Sequence, residues 1–297
     1  MSTLERKLTR DLWRLKGQVA TIALVLACGI MAMIMLRSTW SSLLGARDEY
    51  YDRYRFGDVF AHLERAPDAV ARRLEQIPGV AVVYPRIVHE VMVPLPAQPD
   101  PIGGRVVSIP DDGDPPLDGL YLRTGRLPAV GAPDEVVILE QFANAHAMQP
   151  GDRLPAVING KLRSLRVVGI ALSPEFVIAM SGRDLAPDNR RFVVLWMLRG
   201  AVASAFRMEG AFDDVVLRLE PGASLPGVLE AVDRELAPYG GLHAVGRDKQ
   251  PSNYALANEL GVLRSLALMI PTVFLIVAAF LVNVVVSRLV FLERTQI

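Results

Sequence analysis

The sequence predicts an α+β protein in which two transmembrane helices flank a large extracytoplasmic domain. That domain reads as a ferredoxin-like split βαβ lobe with an inserted, mostly β lobe. Three observations carry the prediction. Uncharged apolar stretches run from Val19 to Leu36 and from Leu266 to Val286, 18 and 21 residues long. About 229 residues of mixed composition lie between them. Within that segment a strand, helix, strand pattern occurs twice, once near each end.

A bilayer core about 30 Å thick needs roughly 20 apolar residues at about 1.5 Å each, so both stretches are long enough to span. A soluble core helix of that length would show a polar stripe at helical spacing. Here Thr21 and Cys28 interrupt one stretch and Thr272 and Asn283 the other. A cleaved signal peptide is the alternative for the first stretch, but its apolar region is too long, and Gly45-Ala46 is a weak cleavage candidate.

Orientation follows from the positive-inside bias. Arg6, Lys7, Arg10, Arg14 and Lys16 precede the first span, while Arg288 and Arg294 flank the exit of the second. Both termini are therefore expected in the cytoplasm and residues of about 38–264 outside it. The single cysteine, Cys28, sits in the first span, so the external segment has no disulfide and must be held by a core. A formal net charge of zero argues against a nucleic-acid partner.

Residues 1–17 read as a cytoplasmic amphipathic helix, with Leu4, Leu8, Leu12, Leu15 and Trp13 opposite the basic residues. It is either an in-plane anchor on membrane lipids or an ordinary basic flank. Residues 18–37 form the first span and 38–56 an external stalk helix. The external domain occupies 57–251, a second stalk 252–264, and the second span 265–289. Asn283 is a candidate helix–helix contact, because an unpaired amide is costly in lipid. Pro271 either kinks the second span or sits harmlessly near its start.

In the domain, Asp58 to Leu63 reads as a strand, Pro67 to Gln76 as a helix and Val80 to Leu95 as one extended strand. The second copy has a strand from Asp214, a helix over Leu225–Leu236 and a strand ending at Val245. Two such units around an insertion predict the split βαβ arrangement. The insertion, about 100–210, carries strands at 105–109 and 135–139 and a short helix at 141–148. Its clearest feature is a hairpin, 154–158 and 162–170, around Asn159-Gly160, a pair suited to the positive φ angles of a type I′ turn.

Motifs of catalysis are missing. There is no G-x-G-x-x-G, His89-Glu90 lacks a second histidine four residues on, and Ala179 stands where a nucleophile elbow needs glycine. His62, His89, His146 and His243 fall on different predicted elements, so no metal or cofactor is expected. Asp111-Asp112-Gly113-Asp114 lacks calcium-loop spacing and reads as a solvated turn.

Several segments carry a resemblance: Asp134 to Leu154 (DEVVILEQFANAHAMQPGDRL), Val167-Val168-Gly169-Ile170, Ser173-Pro174-Glu175-Phe176, Phe192 to Met197 (FVVLWM) and, most specifically, Phe280 to Ile297 (FLVNVVVSRLVFLERTQI). On these the chain resembles the N-terminal part of an ABC transporter permease of the FtsX-like, MacB-type family. The resemblance implies a bacterial inner-membrane location with a periplasmic domain, and a role in mechanotransmission for export or extraction. It implies a cytoplasmic ABC ATPase partner, a homodimer in the full transporter and, in some relatives, a periplasmic adaptor. The chain itself would be no enzyme.

Residues 290–297 would begin the cytoplasmic coupling segment, so the chain is expected to be a fragment of a longer permease. Arg288, Glu293, Arg294 and Gln296 would lie nearest the ATPase, the alternative being a solvated flank. Leu172 to Asp184, with exposed-looking Phe176, Val177 and Met180, is either an adaptor or substrate contact or an ordinary loop beside the core. The competing function classes are a two-span sensor or accessory protein whose external domain binds a ligand, and a membrane-anchored hydrolase.

Overall fold

The computed structural model describes residues 16–95, 100–179 and 188–294, with side chains described through 287. In chain order the elements are α1 (Lys16–Arg53), β1 (Val59–Pro67), α2 (Ala69–Leu74), β2 (Val80–Arg86), β3 (Val88–Val93), β4 (Ile102–Ile109), β5 (Tyr121–Gly125) and β6 (Glu135–Leu139). They continue with α3 (Glu140–Ala145), β7 (Arg153–Ile158), β8 (Lys161–Leu172), β9 (Phe192–Leu198), α4 (Arg199–Phe206), β10 (Ala211–Leu219), α5 (Leu225–Leu236), β11 (Val245–Gly246) and α6 (Pro251–Arg294). The chain divides into a domain, Asp48–Leu256, and a helical unit drawn from residues up to Arg47 and from Ala257 onward.

The first lobe of the domain is a four-stranded sheet in the order β11, β1, β10, β2, with every neighbouring pair antiparallel. Strands β1 and β2 therefore run parallel with β10 between them, joined through α2, which is the predicted split βαβ unit. Helix α5 repeats the crossover. Ser224 caps it by accepting from the Gly227 N–H at 3.4 Å, and Val228, Val232 and Leu236, each four residues on from the last, bury its apolar face. These side chains meet Leu74, Phe212, Val215 and Leu217 in one core.

The run Val80 to Leu95 is not one strand. It breaks at Ile87, giving β2 to the first sheet and β3 to the second. Ile87 is fully buried at the junction, where its carbonyl accepts from the Ser108 N–H at 2.9 Å and its own N–H donates to Ser108 Oγ at 2.8 Å.

The second lobe is a seven-stranded sheet in the order β5, β8, β6, β9, β4, β3, β7, and β7 pairs back to β8, closing a ring of six strands. The 12-residue β8 makes this possible. Its first half pairs with β7 and its last residues with β5 along one edge, while β6 lies along the other. All seven residues of β9 are buried, so no alternation marks it in the sequence. The predicted hairpin forms as β7 and β8, with φ of 46° at Asn159 and 74° at Gly160.

In the helical unit, half-buried Ile22, Val25, Ala32 and Leu36 and buried Gly29 mark one seam on α1. Ala267, Pro271, Phe274, Ala278, Leu281 and Val285 mark the seam on α6. Both follow the three-and-four spacing of paired helices. Gly29 permits the closest approach, since a Cβ there would lie 2.8 Å from Phe274 Cβ. Arg264 stacks over the Trp40 ring at 5.8 Å from its centroid.

Away from the seam the apolar side chains are exposed, among them Leu24, Met31, Ile34, Ile276 and Phe280. A buried core helix does not look like this. Apolar surface on this scale belongs against lipid or further helices. Pro271 is the twenty-first residue of α6, so it does not sit at a helix start. Its missing N–H leaves the Ala267 carbonyl without the usual helical donor, and one residue on, Thr272 Oγ1 donates to Leu268 O at 2.7 Å.

Candidate functional site

The charged centre of the domain is Arg86, the last residue of β2, where the chain leaves one lobe for the other. It is 2% exposed. Asp214 stands opposite it in the β10 register and accepts from its Nε at 2.6 Å. Glu175 accepts from Nη1 and Nη2 at 2.5 and 3.1 Å, a bidentate pairing. Asp118 Oδ2 lies 3.4 Å from Nη1. Each carboxylate comes from a different place: a strand of the first lobe, the turn Pro174–Phe176 after β8, and the loop between β4 and β5.

One cation faces three buried carboxylates, and their proton affinities diverge. Burial, then the charge of Glu175, pushes Asp118 up to about 8, so it is protonated at neutral pH. Burial alone would also raise Asp214, but Arg86 and His62 pull it well below the carboxylate range. Burial works against the charge of Arg86, yet Asp214 and Glu175 hold its affinity well above normal. His62 Nδ1 meets Asp214 Oδ2 at 2.5 Å, and that charge raises the histidine. With 55% of its side chain exposed, His62 is the solvent-facing end of the network.

Asp213 points to the other face of β10. Its Oδ1 accepts from the Val88 N–H at 2.7 Å, and its Oδ2 lies 3.1 Å from His89 Nε2. Burial pushes Asp213 up to about 7 and lowers His89, whose ring stacks on Phe206 at 4.0 Å.

The Arg86 carboxylates also hold the segments next to the long helices. After α1, the Gly57 N–H donates to Asp118 Oδ1 at 3.0 Å, and Asp118 and Gly119 donate to the carbonyls of Arg55 and Tyr54. Just before α6, Gln250 Nε2 donates to the Glu175 carbonyl at 2.9 Å, and in its first turn Ser252 Oγ accepts from the Ile178 N–H at 2.9 Å. Arg247 links the two segments by donating to the carbonyls of Phe56 and Gly57 at 2.7 and 2.9 Å. The arrangement positions chain segments and presents no nucleophile with a base.

The residues expected from sequence fall elsewhere. Phe176 is not exposed: it is 5% accessible, with its ring edge-on to Trp196 at 6.0 Å, so the apolar side chain serves the core. Val177 is half-buried against the cluster of Tyr51, Phe56 and Phe60. Met180 lies outside the described residues, as do Gln296 and the side chains of Arg288, Glu293 and Arg294. Asn283 is exposed on α6 beside a groove lined by Leu26, Leu275, Ala278 and Val282. Asp111 is more than a solvated turn residue, since both its oxygens accept from the Gly200 N–H, at 3.0 and 3.1 Å, at the start of α4. Among the described residues no group of His, Cys, Asp and Glu is placed to hold a metal ion.

Sequence reasoning missed Arg86, Asp118 and Asp214 as a unit, and placed Glu175 in a motif without a role. One signal was available: Arg86 is a lone charge in an otherwise apolar strand, which calls for a buried partner.

No protein-family model matches the chain. No curated protein matches it in sequence. Among solved structures it is similar to the periplasmic region of MacB from Actinobacillus actinomycetemcomitans, at 12% identity and a TM-score of 0.40, covering 72% of this chain and 96% of that one. It is also similar to the extracellular domain of the noncanonic ABC-type transporter YknZ from Gram-positive bacteria, at 12% identity and a TM-score of 0.40, covering 64% and 98%.

Proposed function

We propose that the chain is a permease subunit of an ABC transporter of the FtsX-like, MacB-type family. It couples ATP hydrolysis by a cytoplasmic partner to movement of its own external domain. The observation that carries this is the layout: two exposed apolar helices, α1 and α6, bracket a domain of two β-rich lobes, and α6 carries the closing stretch from Phe280 as far as Arg294. In this reading both termini are cytoplasmic and the domain periplasmic. The chain binds no nucleotide, and Arg288, Glu293, Arg294 and Gln296 face the ATPase.

The layout favours a transmitter over an enzyme because the strongest buried chemistry, around Arg86, is spent on holding segments rather than on a reacting centre. The test is affinity purification of the tagged chain from its native membranes. Recovery of an ABC ATPase, lost when Arg288, Glu293 and Arg294 are replaced by alanine, supports the reading. A preparation free of any ATPase, together with ligand-induced thermal stabilisation of the domain, overturns it in favour of a sensor.

A further inference from the structure

We infer that Arg86 is the pin of a latch holding the two segments that border the domain, residues 54–57 and 247–252, in a single arrangement, and that ionisation of Asp118 releases it. The inference concerns the domain alone and holds whether or not the chain serves a transporter. Asp118 fixes the first segment through its side chain and backbone, and Glu175 fixes the second through its carbonyl, while the side chains of both converge on the same guanidinium. Arg247 and the Tyr51 hydroxyl, which donates to Asn253 Oδ1 at 3.1 Å, tie the segments to each other. Freeing one should therefore free the other.

The charge arrangement says what opens it. Asp118 is faced by Arg86 from β2, Asp214 from β10, Glu175 from the turn after β8 and the Gly57 N–H from the segment after α1. His62 on β1 reaches the cluster through Asp214, Arg55 donates to the nearby Pro115 carbonyl, and the buried Tyr84 phenol stays neutral. With Asp118 protonated and His62 charged, the two cations Arg86 and His62 balance Glu175 and Asp214. Removing the Asp118 proton adds an unbalanced buried charge to a site where the guanidinium fork is already spent on two other partners. Opening to water is then the way to relieve it.

The test is hydrogen exchange by mass spectrometry on the full chain in lipid nanodiscs at pH 6.5 and 9, corrected for intrinsic exchange. Amides of 54–58, 115–120 and 247–253 should exchange faster together at the higher pH, by up to about tenfold per pH unit between pH 6.5 and about 8 and with no further rise above that. Those of α5 should not change. Asp118→Asn, which keeps a neutral side chain in place, should abolish the rise without loosening the segments at pH 6.5. Arg86→Lys, which keeps the charge but loses the fork, should speed exchange in both segments at either pH. A rise in only one segment, a rise that survives in Asp118→Asn, no rise at all, or parallel exposure of α5 overturns the latch.

Discussion

Arg86 and Glu175 share two hydrogen bonds, Nη1 to Oε2 at 2.5 Å and Nη2 to Oε1 at 3.1 Å, in a site from which water is almost excluded. The pair joins the split βαβ lobe to the barrel lobe. Removing one partner of such a pair leaves an uncompensated buried charge, and the cost is about 3–5 kcal/mol. Arg86→Met should therefore destabilise the domain by that amount. Denaturant unfolding followed through the buried Trp196 checks it; a loss below about 1 kcal/mol would mean that the pair contributes little.

The carboxylates of β10 predict a pH dependence with two limbs. Asp213 is raised to about 7, so the folded state binds its proton more tightly than the unfolded chain. Its contribution is complete below the ordinary carboxylate value near 4 and is lost as pH climbs to 7, by at most about 1.4 kcal/mol per pH unit. Asp118, raised to about 8, adds a limb of the same sign. Asp214 is depressed, so its contribution is present above about pH 4 and lost below it. Denaturation midpoints should thus fall from pH 5 to pH 8, and Asp213→Asn, which keeps an acceptor for the Val88 N–H, should flatten the slope.

Gly29 and Phe274 set the approach of the two long helices. A methyl group on Gly29 would come within 2.8 Å of Phe274 Cβ. Gly29→Ala should weaken the helix pairing by about 1–3 kcal/mol, the usual cost of overpacking. Phe274→Gly in the same chain, which removes the Cβ that the new methyl would meet, should recover part of that loss. A double-mutant cycle on detergent-induced separation of the helices measures the coupling, and simple additivity would refute it.

Two glycines with positive φ should differ sharply in tolerance. Gly125, φ 82°, has Val168 O 2.2 Å from where a Cβ would sit, whereas Gly160, φ 74°, has open space around it. Gly160→Ala should cost only the conformational penalty of about 1–2 kcal/mol. Gly125→Ala adds a clash with the backbone of β8 and should lower the melting temperature further. Equal melting temperatures for the two variants would contradict this ranking.

The proposed orientation makes a labelling prediction. With Cys28 replaced by serine, Asp114→Cys in an exposed loop should react with a membrane-impermeant maleimide added from the periplasmic side, while Ser2→Cys should react only after the membrane is opened. The reverse pattern would invert the topology.

Sequence alone determined the features that are local in the chain. Length and apolarity are properties of a single stretch, so both long helices were readable, although Pro271 proved to lie mid-helix rather than near a start. The tight turn was legible at Asn159-Gly160 because few other pairs take two positive φ angles. Helix α5 was legible at Leu225–Leu236, the bounds it takes in the structure. From these the two-lobe α+β organisation followed.

Tertiary structure alone decided where the run Val80 to Leu95 breaks, because both halves are apolar and only Ile87 meeting Ser108 assigns them to different sheets. It decided the closing of the ring through β7 and β8, and it decided the burial of Phe176. The Arg86 network lay furthest from view. Its partners stand 32, 89 and 128 positions away along the chain. Periodicity reports which face of an element is buried, but which charges will share that interior is fixed only when the two lobes close over them.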